Sequence, residues 1–521
     1  MATSRSDASS LRKDRPFGRV LIANRGEIAV RIIRTCREMG IESVAVFSDA
    51  DADALHVRMA DRAERIGPAP AGDSYLKTDA VVEAARRSGA EAIHPGYGFL
   101  SENAGFARAV LDAGIVFVGP PPETLEALGD KLAARRSAKE AGVPIAPGLL
   151  VPLQSGSGAA AMADREGVTF PAMLKAAAGG GGRGMRRVER PDQLEVAAVS
   201  AAREALAAFG DGTLYLEELV DPARHIEVQL LGDRHGHLAV LGERECSVQR
   251  RHQKLVEETP SPAVTPTIRE RLFEGARRVA GTVDFSNAAT VEFLLDADGN
   301  HYFLEMNTRL QVEHGVTELV TGLDLVAWQL RIAAGEQLSE RVLAATPRGH
   351  AIEARVYAED PYRGFAPVSG RIGAWTMPDG PGVRVDAGIA GGTPLPVEYD
   401  PLLAKLMVHA DDRPAAVARL RRALEETAIG GLDTDLGFLR WLVDQESFAS
   451  GGYDTGLIPR EWGTGPELDA QARSLAAFVA LEARAREGAA RATVGAASLR
   501  TEGSAWGALA RREAVDRPRS R

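Results

Sequence analysis

The chain has 521 residues, of which 45% are hydrophobic and 26% are charged, a composition typical of globular proteins and unlike that of disordered ones. Its formal net charge of -10 argues against a protein that coats nucleic acid or an anionic membrane, so we expect neither as a partner. Two cysteines, Cys36 and Cys246, are too few for a disulfide framework or a four-thiolate zinc site, and they indicate a reducing, cytoplasmic location.

The length predicts several domains, about three or four at roughly 150 residues each. Residues 1–15 are polar and of mixed charge, which predicts a disordered tail rather than a secretory signal. The longest stretch without a charged residue, 141–163, is interrupted by prolines and glycines, so it is not a membrane-spanning helix.

The first structured part alternates predicted strands and helices. Short apolar runs predict buried strands at 19–23, 43–47, 91–94 and 115–119. Between the first two, apolar residues at helical spacing predict a helix that ends near Gly40. This alternation is typical of a parallel sheet covered by helices. The turn after the first strand reads NRGEIA and not G-x-G-x-x-G, so we do not expect NAD binding.

The rest of the chain is less regular. The pattern predicts a helix at 124–140, a flexible Gly/Pro/Ser-rich join at 146–158, a compact α+β segment to about 220, a strand-rich part at 225–307 with a helix at 269–280, a mixed unit at 349–462, and a tail at 463–521 with one amphipathic helix around Leu475 to Leu481.

Lysine is rare, with seven among the 62 basic residues. An arginine-rich chain would replace lysine wherever a solvated cation is sufficient, so a retained lysine indicates a place that requires a compact ammonium. Lys131, Lys175 and Lys254 are the candidates, with chance retention as the alternative for each.

A glycine-rich loop follows Lys175 and reads KAAAGGGGRGM. Successive glycines let backbone amides point at one spot and form a nest for phosphate. No Lys-Ser or Lys-Thr pair follows, so the loop is not a Walker loop. A simple linker is the alternative, but we favour a mobile phosphate lid.

Two apolar runs around DADGN predict a β-hairpin at 291–307. Glu305 and Asn307 lie on one face of the second strand, and Glu292 lies almost opposite Glu305, depending on the register. Two carboxylates and an amide at strand spacing suit Mg²⁺ bound together with phosphate oxygens. The alternative is that both glutamates lie on an exposed, solvated sheet face.

Polar residues alternate along the next segment, TRLQVEH. A period of two places Arg309, Gln311 and Glu313 on one face, which predicts an anion-binding row with a base at its end, although structural salt bridges would also explain the charges. The same alternation in AIEARVYAED places Arg355 on a polar strand face. From the residues alone we predict a magnesium- and nucleotide-dependent enzyme that handles small anions.

Several motifs together resemble biotin carboxylase. They are ANRGEIAVRI, HPGYGFLSEN, GDK, the glycine loop, ERECSVQRRHQK and EMNTRLQVEH, and the resemblance extends from about 19 to 459. It implies an α/β and α+β multidomain protein with the ATP-grasp fold. The expected boundaries are a disordered tail at 1–15, a doubly wound N-terminal domain at 16–130, a lid at 131–219, a catalytic core at 220–345, a C-terminal biotin carboxylase domain at 346–462, and a helical or disordered tail at 463–521.

The resemblance also implies a reaction, in which ATP and bicarbonate form carboxyphosphate and biotin is then carboxylated. The implied ATP contacts are Lys131, Lys175, Gly181, Gly182, Glu217, Glu218, Leu219, Val220, His225 and His252. The implied ligands of Mg²⁺ or Mn²⁺ are Glu292, Glu305 and Asn307. The implied bicarbonate and biotin contacts are Lys254, Arg309, Gln311, Val312, Arg355 and Tyr97. Glu313 would deprotonate bicarbonate, and Arg355 would stabilise the biotin enolate.

The chain departs from the family pattern at Gly315, where proline is usual, which predicts a looser loop behind the base, and at Glu218, where some relatives have lysine. It contains no Met-Lys-Met sequence for biotin attachment, so we expect biotin on a separate carboxyl carrier protein. A carboxyltransferase subunit and a second copy of the chain are the other expected partners.

Three alternatives stay open. The chain could be a truncated α subunit of a fused propionyl- or methylcrotonyl-type acyl-CoA carboxylase, as the SAWGALARREA segment near its end suggests. It could also be a different ATP-grasp carboxylate ligase, or a catalytically silent scaffold subunit of such a complex. The resemblance to biotin carboxylase itself implies a role in acyl-CoA carboxylation and fatty acid biosynthesis, with an acyl acceptor that the sequence does not name.

Overall fold

A computed structural model describes residues 15–150, 152–153, 158–177, 184–463 and 465. The described residues up to 463 belong to one compact unit. The predicted tail at 1–15, apart from its last residue, and the amphipathic helix predicted beyond 463 lie outside the described residues. No helix of the described part is both long and apolar enough to cross a membrane.

The N-terminal part is a parallel five-stranded sheet with strand order β3-β2-β1-β4-β5. Its elements are β1 Arg19–Ile22, α1 Gly26–Glu38, β2 Glu42–Ser48, α2 Leu55–Met59, β3 Arg62–Gly67, α3 Thr78–Ser88, β4 Ala92–His94, α4 Ala104–Asp112 and β5 Val116–Phe117. The predicted parallel sheet is therefore correct. The sequence did not reveal β3, because this edge strand is mostly exposed and has no apolar run.

The next part carries a small antiparallel sheet, ordered β7-β6-β8. Its elements are α5 Pro122–Gly129, α6 Lys131–Glu140, α7 Ala159–Arg165, β6 Ala172–Ala176, β7 Met185–Val188, α8 Leu194–Phe209 and β8 Leu214–Glu218. The single helix predicted at 124–140 is wrong. Asp130 interrupts it with an extended backbone, and its carboxylate accepts hydrogen bonds from the backbone N–H groups of Leu132 (2.9 Å) and Ala133 (3.0 Å), which caps α6.

An eight-stranded sheet dominates the remainder, with strand order β13-β12-β9-β10-β11-β14-β21-β19. Its strands and neighbouring helices are β9 Ala223–Gly232, β10 Leu238–Arg250, β11 Gln253–Thr259, α9 Pro266–Ala280, β12 Asn287–Asp296, β13 His301–Asn307, α10 His314–Thr321, α11 Leu325–Ala333, α12 Glu340–Leu343 and β14 His350–Tyr357. Strands on both sides of residue 345 thus share one sheet, because β11 pairs with β14.

The C-terminal part adds two long strands to this sheet and packs several helices on it. Its elements are β15 Glu359–Asp360, β16 Ala366–Pro367, β17 Gly370–Arg371, β18 Trp375–Thr376, β19 Val383–Ala387, β20 Pro394–Leu395, β21 Leu402–Ala410, α13 Arg413–Glu426, β22 Ala428–Ile429, α14 Leu436–Val443, α15 Glu446–Ser450 and α16 Leu457–Glu461. Apolar side chains of β14 and β21 pack against α13 and α14 in one buried cluster. The opposite, polar side of these strands is buried as well, which is where the candidate site lies.

Candidate active site

The β12–β13 hairpin places two carboxylates side by side. Glu292 of β12 is the register partner of Glu305 of β13. The side-chain amide of Asn307 donates to both, at 2.9 Å to Glu292 Oε1 and 3.3 Å to Glu305 Oε1. The three side chains therefore share one face, as the hairpin pattern predicted.

Cations and a histidine surround this carboxylate pair. Lys131 Nζ lies 2.7 Å from Glu305 Oε2, and His225 Nε2 lies 2.7 Å from Glu292 Oε2. Burial by itself raises the pKa of Glu292, but Lys254 and His225 outweigh it, so this pKa lies below its ordinary value. Both glutamates are ionised near neutral pH and offer anionic oxygens, the donors that a hard divalent cation prefers.

Lys254 joins the hairpin to two further carboxylates. Its Nζ lies 2.7 Å from Glu227 Oε2, 2.7 Å from Glu313 Oε1 and 3.2 Å from Glu292 Oε1. Glu227, Glu313 and the thiol of Cys246 also lie within 4.8 Å of one another, as metal ligands would. The ammonium already bridges the two carboxylates, and burial raises the pKa of the thiol, so we assign this group to Lys254 rather than to a metal.

Arg355 of β14 is the second cation that contacts Glu313. Its guanidinium donates to Glu313 Oε2 at 3.0 Å and forms an ion pair with Glu257. Burial raises the pKa of Glu313, but Lys254, Arg355 and Arg244 lower it by a larger amount, so this pKa lies far below its ordinary value. Glu313 is therefore a buried carboxylate that stays ionised between two cations.

The segment that leads to Glu313 is not the strand that the sequence predicted. Residues 308–313 form a loop after β13, and α10 begins at His314 with Glu313 as its N-cap. The period of two was therefore wrong for this row. Arg309 nevertheless donates to Gln311 Oε1 and Asn307 Oδ1, both at 3.0 Å, and to Glu102 at 2.7 Å. Local folding of the loop, and not strand alternation, brings these groups together.

Tyr97 lies in the loop that follows β4. Asn24 fixes this loop, since its amide donates to the carbonyls of Pro95 (2.7 Å) and Tyr97 (2.8 Å). The Tyr97 hydroxyl donates to Glu27, in the first turn of α1. Burial and the Glu27 carboxylate raise the pKa of Tyr97 well above its ordinary value, and the nearby charge of Arg355 lowers it in part.

A second charged group lies in the small sheet. Glu217 of β8 forms an ion pair with Lys175 of β6 and accepts from Arg135 at 2.5 Å. Burial raises the pKa of Glu217, but Lys175 and Arg135 lower it by a larger amount, and Lys131 lowers it as well. The pKa of Glu217 therefore lies below its ordinary value. Burial lowers the pKa of Lys131, but the charges of Glu305, Glu292 and Glu217 raise it by a larger amount. Lys131 therefore interacts with both Glu217 and the hairpin carboxylates, and it connects the predicted nucleotide-binding lysines to the predicted metal ligands.

The remaining predicted ATP contacts are two glycines, the three residues that follow Glu217, and His252. Gly181 and Gly182 lie outside the described residues. Glu218, Leu219 and Val220 form the end of β8 and the segment after it, and His252 lies at the β10–β11 turn with a left-handed backbone. The Glu218 carboxylate accepts from the backbone N–H of Thr169 at 2.8 Å, so this departure from the family pattern has a local structural partner.

Gly315 is accommodated by its neighbour Met407. A Cβ atom at position 315 would overlap the Met407 sulfur, which fills the space beside the glycine. Gly315 and Met407 are both buried and packed together, and the looser loop expected from the missing proline stays a prediction.

The sequence did not reveal every charged residue of the site. Glu227 and Arg244, both fully buried, support Lys254 and Glu313 from β9 and β10. Lys405 of β21 is also fully buried, and its Nζ donates to the carbonyl of Val312 at 2.8 Å. The rarity of lysine was a signal that could have identified Lys405.

Comparisons with known proteins identify the family. Residues 16–125 match the family described as "Biotin carboxylase, N-terminal domain", residues 130–341 match "Carbamoyl-phosphate synthase L chain, ATP binding domain", and residues 353–460 match "Biotin carboxylase C-terminal domain". The chain is 50% identical over 442 residues to the biotin carboxylase of Halalkalibacterium halodurans, which covers 85% of this chain and 97% of that one. The chain belongs to the biotin carboxylase family.

Two further proteins are similar to this biotin carboxylase. The propionyl-CoA carboxylase alpha chain of Ruegeria pomeroyi is 46% identical over 471 residues, which covers 87% of this chain and 69% of that one. The biotin carboxylase domain dimer of the Hydrogenobacter thermophilus 2-oxoglutarate carboxylase, solved with MgADP, ADP and bicarbonate, matches with a TM-score of 0.84 and 44% identity, covering 87% of this chain and 99% of that one.

Family membership confirms the ATP-grasp fold class, the assignment to ATP-dependent ligases, and the function of carboxylating biotin at the expense of ATP. The domain boundaries and the roles of individual residues stay predictions.

Proposed function

We propose that this biotin carboxylase works through Glu313, which deprotonates bicarbonate, and through Arg355, which stabilises the biotin enolate. The observation that carries the proposal is the position of Glu313, a buried carboxylate held between Lys254 and Arg355. A base of this kind must be ionised before the reaction, and both cations favour its ionised form.

The metal ligands in this proposal are Glu292, Glu305 and Asn307. Their side chains share one face of the β12–β13 hairpin, and the anionic pair of Glu292 and Glu305 fits Mg²⁺ or Mn²⁺. The Asn307 oxygen accepts from Arg309 and would have to turn toward the cation to bind it. When bound, the cation would neutralise charge on the phosphate oxygens of ATP. Lys131, which already pairs with Glu305, would lie beside the same phosphates.

The nucleotide would occupy the space between the small sheet and the hairpin. Lys175 and Lys131 would supply positive charge there, and the ion pair with Glu217 holds Lys175 in place. Further proposed ATP contacts are Gly181, Gly182, Glu218, Leu219, Val220, His225 and His252. The H. thermophilus relative was solved with MgADP, ADP and bicarbonate, which supports nucleotide binding by this chain.

Bicarbonate would bind beside Lys254, Arg309, Gln311 and the backbone of Val312. Glu313 takes the bicarbonate proton, and the resulting oxyanion attacks the γ-phosphorus of ATP to give carboxyphosphate and ADP. Cationic groups then stabilise the negative charge of carboxyphosphate in a site that excludes water. Carboxyphosphate releases carbon dioxide and phosphate.

Biotin would enter beside Tyr97 and Arg355. The phosphate released from carboxyphosphate would take the ureido N–H proton, and the guanidinium of Arg355 would stabilise the resulting negative charge on the ureido oxygen while the ureido nitrogen attacks carbon dioxide. We propose that a biotin carboxyl carrier protein presents the biotin, that a carboxyltransferase subunit uses the product, and that the chain forms a homodimer, as the biotin carboxylase domain of the H. thermophilus relative does.

Similarity to the R. pomeroyi alpha chain favours a second reading, in which the chain corresponds to part of a fused acyl-CoA carboxylase α subunit. We propose for either case the domain division given above, with the lid at 131–219 and the catalytic core at 220–345. The match to an ATP binding domain at 130–341 supports a division of this kind.

The test is bicarbonate-dependent ATP hydrolysis by the full chain, with and without free biotin. We expect biotin to stimulate hydrolysis, and indifference to biotin would contradict the proposed function. Arg355→Ala should lower biotin carboxylation by about 10²-fold, the effect of removing one charge-stabilising donor. Arg363→Ala, at an arginine with 83% side-chain exposure, is the matched control. Normal carboxylation by the Arg355 variant would refute the enolate assignment.

A further inference from the structure

The buried lysine of β21 has no part in the reaction proposed above. The Lys405 side chain is fully buried, and its Nζ donates to the Val312 carbonyl oxygen at 2.8 Å. The same Nζ lies 3.2 Å from Glu27 Oε2 and 4.0 Å from Asp386 Oδ2. A buried ammonium is costly unless it is paired, so a lysine at this position indicates a specific requirement.

The sheet register explains why Lys405 reaches the catalytic loop. In the pairing of β14 with β21, Lys405 is directly opposite Arg355, and in the pairing of β19 with β21 it is opposite Asp386. Directly opposite residues of an antiparallel pair project from the same face. Lys405 and Arg355 therefore point toward the same loop, where Arg355 contacts the Glu313 carboxylate and Lys405 contacts the preceding carbonyl.

The polar contacts of Lys405 also extend to the N-terminal part of the chain, at the first turn of α1. Glu27 pairs with Lys405 through one carboxylate oxygen and accepts from the Tyr97 hydroxyl through the other. The C-terminal part packs tightly here, since a Cβ atom on Gly388 would overlap the backbone of Gly26 and Glu27. Tyr97, Glu27, Lys405 and Val312 thus form a continuous chain of polar contacts, in which Glu27 and Lys405 are buried and Tyr97 and Val312 are half-buried.

We propose that Lys405 is a positioning residue that holds the Val312–Glu313 turn in the geometry required to bind bicarbonate and remove its proton. The inference rests on the proposed function, because it assumes that this turn lines the bicarbonate pocket. Lys405 touches none of the proposed reacting groups and reaches the proposed bicarbonate pocket through the Val312 carbonyl. Methionine has nearly the same length but cannot donate, so it would release that carbonyl.

Neutralising Lys405 alone would also leave the buried carboxylate of Glu27 without its ammonium partner. Loss of activity in Lys405→Met could therefore reflect instability only. The double variant Lys405→Met/Glu27→Gln removes both charges together, so it relieves this electrostatic defect while the Val312 carbonyl stays released.

The readout is the KM for bicarbonate in ATP hydrolysis without biotin, compared with the KM for ATP. An unfolded fraction lowers the rate but leaves both constants unchanged, whereas a displaced turn changes only one. We expect the double variant to raise the KM for bicarbonate about tenfold, the scale of one lost hydrogen bond from a charged donor, with the KM for ATP unchanged. Its thermal midpoint should lie above that of Lys405→Met.

Lys77→Met makes the same chemical change at an exposed lysine and should leave both constants at their wild-type values. A wild-type KM for bicarbonate in the double variant would overturn the inference about Lys405 while the proposed function stands. Absence of bicarbonate-dependent hydrolysis in the wild-type chain would instead refute the proposed function, and with it the inference that depends on it.

Discussion

Replacing Lys254 with methionine removes the charge that three carboxylates share. The ammonium lies 2.7 Å from Glu227, 2.7 Å from Glu313 and 3.2 Å from Glu292. Without it, these buried carboxylates face one another with one cationic partner fewer. Removing one partner of a buried ion pair costs about 3–5 kcal/mol, so we expect the free energy of unfolding at pH 8 to fall by about that amount.

This loss should depend on pH. The folded-state pKa values of Glu292 and Glu313 are depressed, partly by Lys254, so their contribution to stability is present above their unfolded pKa and is lost as the pH falls through the folded one. In Lys254→Met both pKa values rise, and protonation at acidic pH relieves the repulsion. The difference between wild type and variant should therefore be smaller at pH 5 than at pH 8.

Urea unfolding of both proteins at the two pH values measures these differences, and Lys139→Met, at an exposed lysine, is the matched control. The same preparations should show bicarbonate-dependent ATP hydrolysis reduced by about 10²-fold in Lys254→Met, since the variant lacks a charge that faces the proposed bicarbonate. The electrostatic reasoning would be refuted by an unchanged free energy of unfolding at pH 8, or by a loss that grows as the pH falls.

Two further predictions concern other carboxylates. Burial raises the pKa of Glu258, but His350 and Arg413 outweigh it and lower it from 4.5 to about 2. Glu258→Gln should therefore lower the free energy of unfolding by about 3 kcal/mol at pH 7, with the loss vanishing as the pH falls toward 2, and an equal loss at both pH values would contradict this. Glu305→Gln should weaken Mn²⁺ binding about tenfold in calorimetric titration with ATP. It should change stability by under about 1 kcal/mol, because its pair with Lys131 is partly exposed, and unchanged Mn²⁺ affinity would exclude Glu305 as a ligand.

The sequence revealed features whose signal is local. A period of two around a turn predicted the β12–β13 hairpin and the pairing of Glu292 with Glu305, because a short hairpin leaves little freedom of register. The same reasoning failed after β13. The segment that contains Arg309 keeps its alternation of polar and apolar residues, but it has no strand to pair with and turns into α10.

What the sequence by itself determined is therefore the alternation of strands and helices in the N-terminal part, the acidic hairpin and, through its motifs, the family. Only the tertiary structure decided which charges meet. Lys254 contacts carboxylates 27 and 59 residues away, and Lys405 contacts a carbonyl 93 residues away. Strand order in the eight-stranded sheet sets these contacts. That order follows from burying apolar faces across the whole sheet, and no local spacing encodes it.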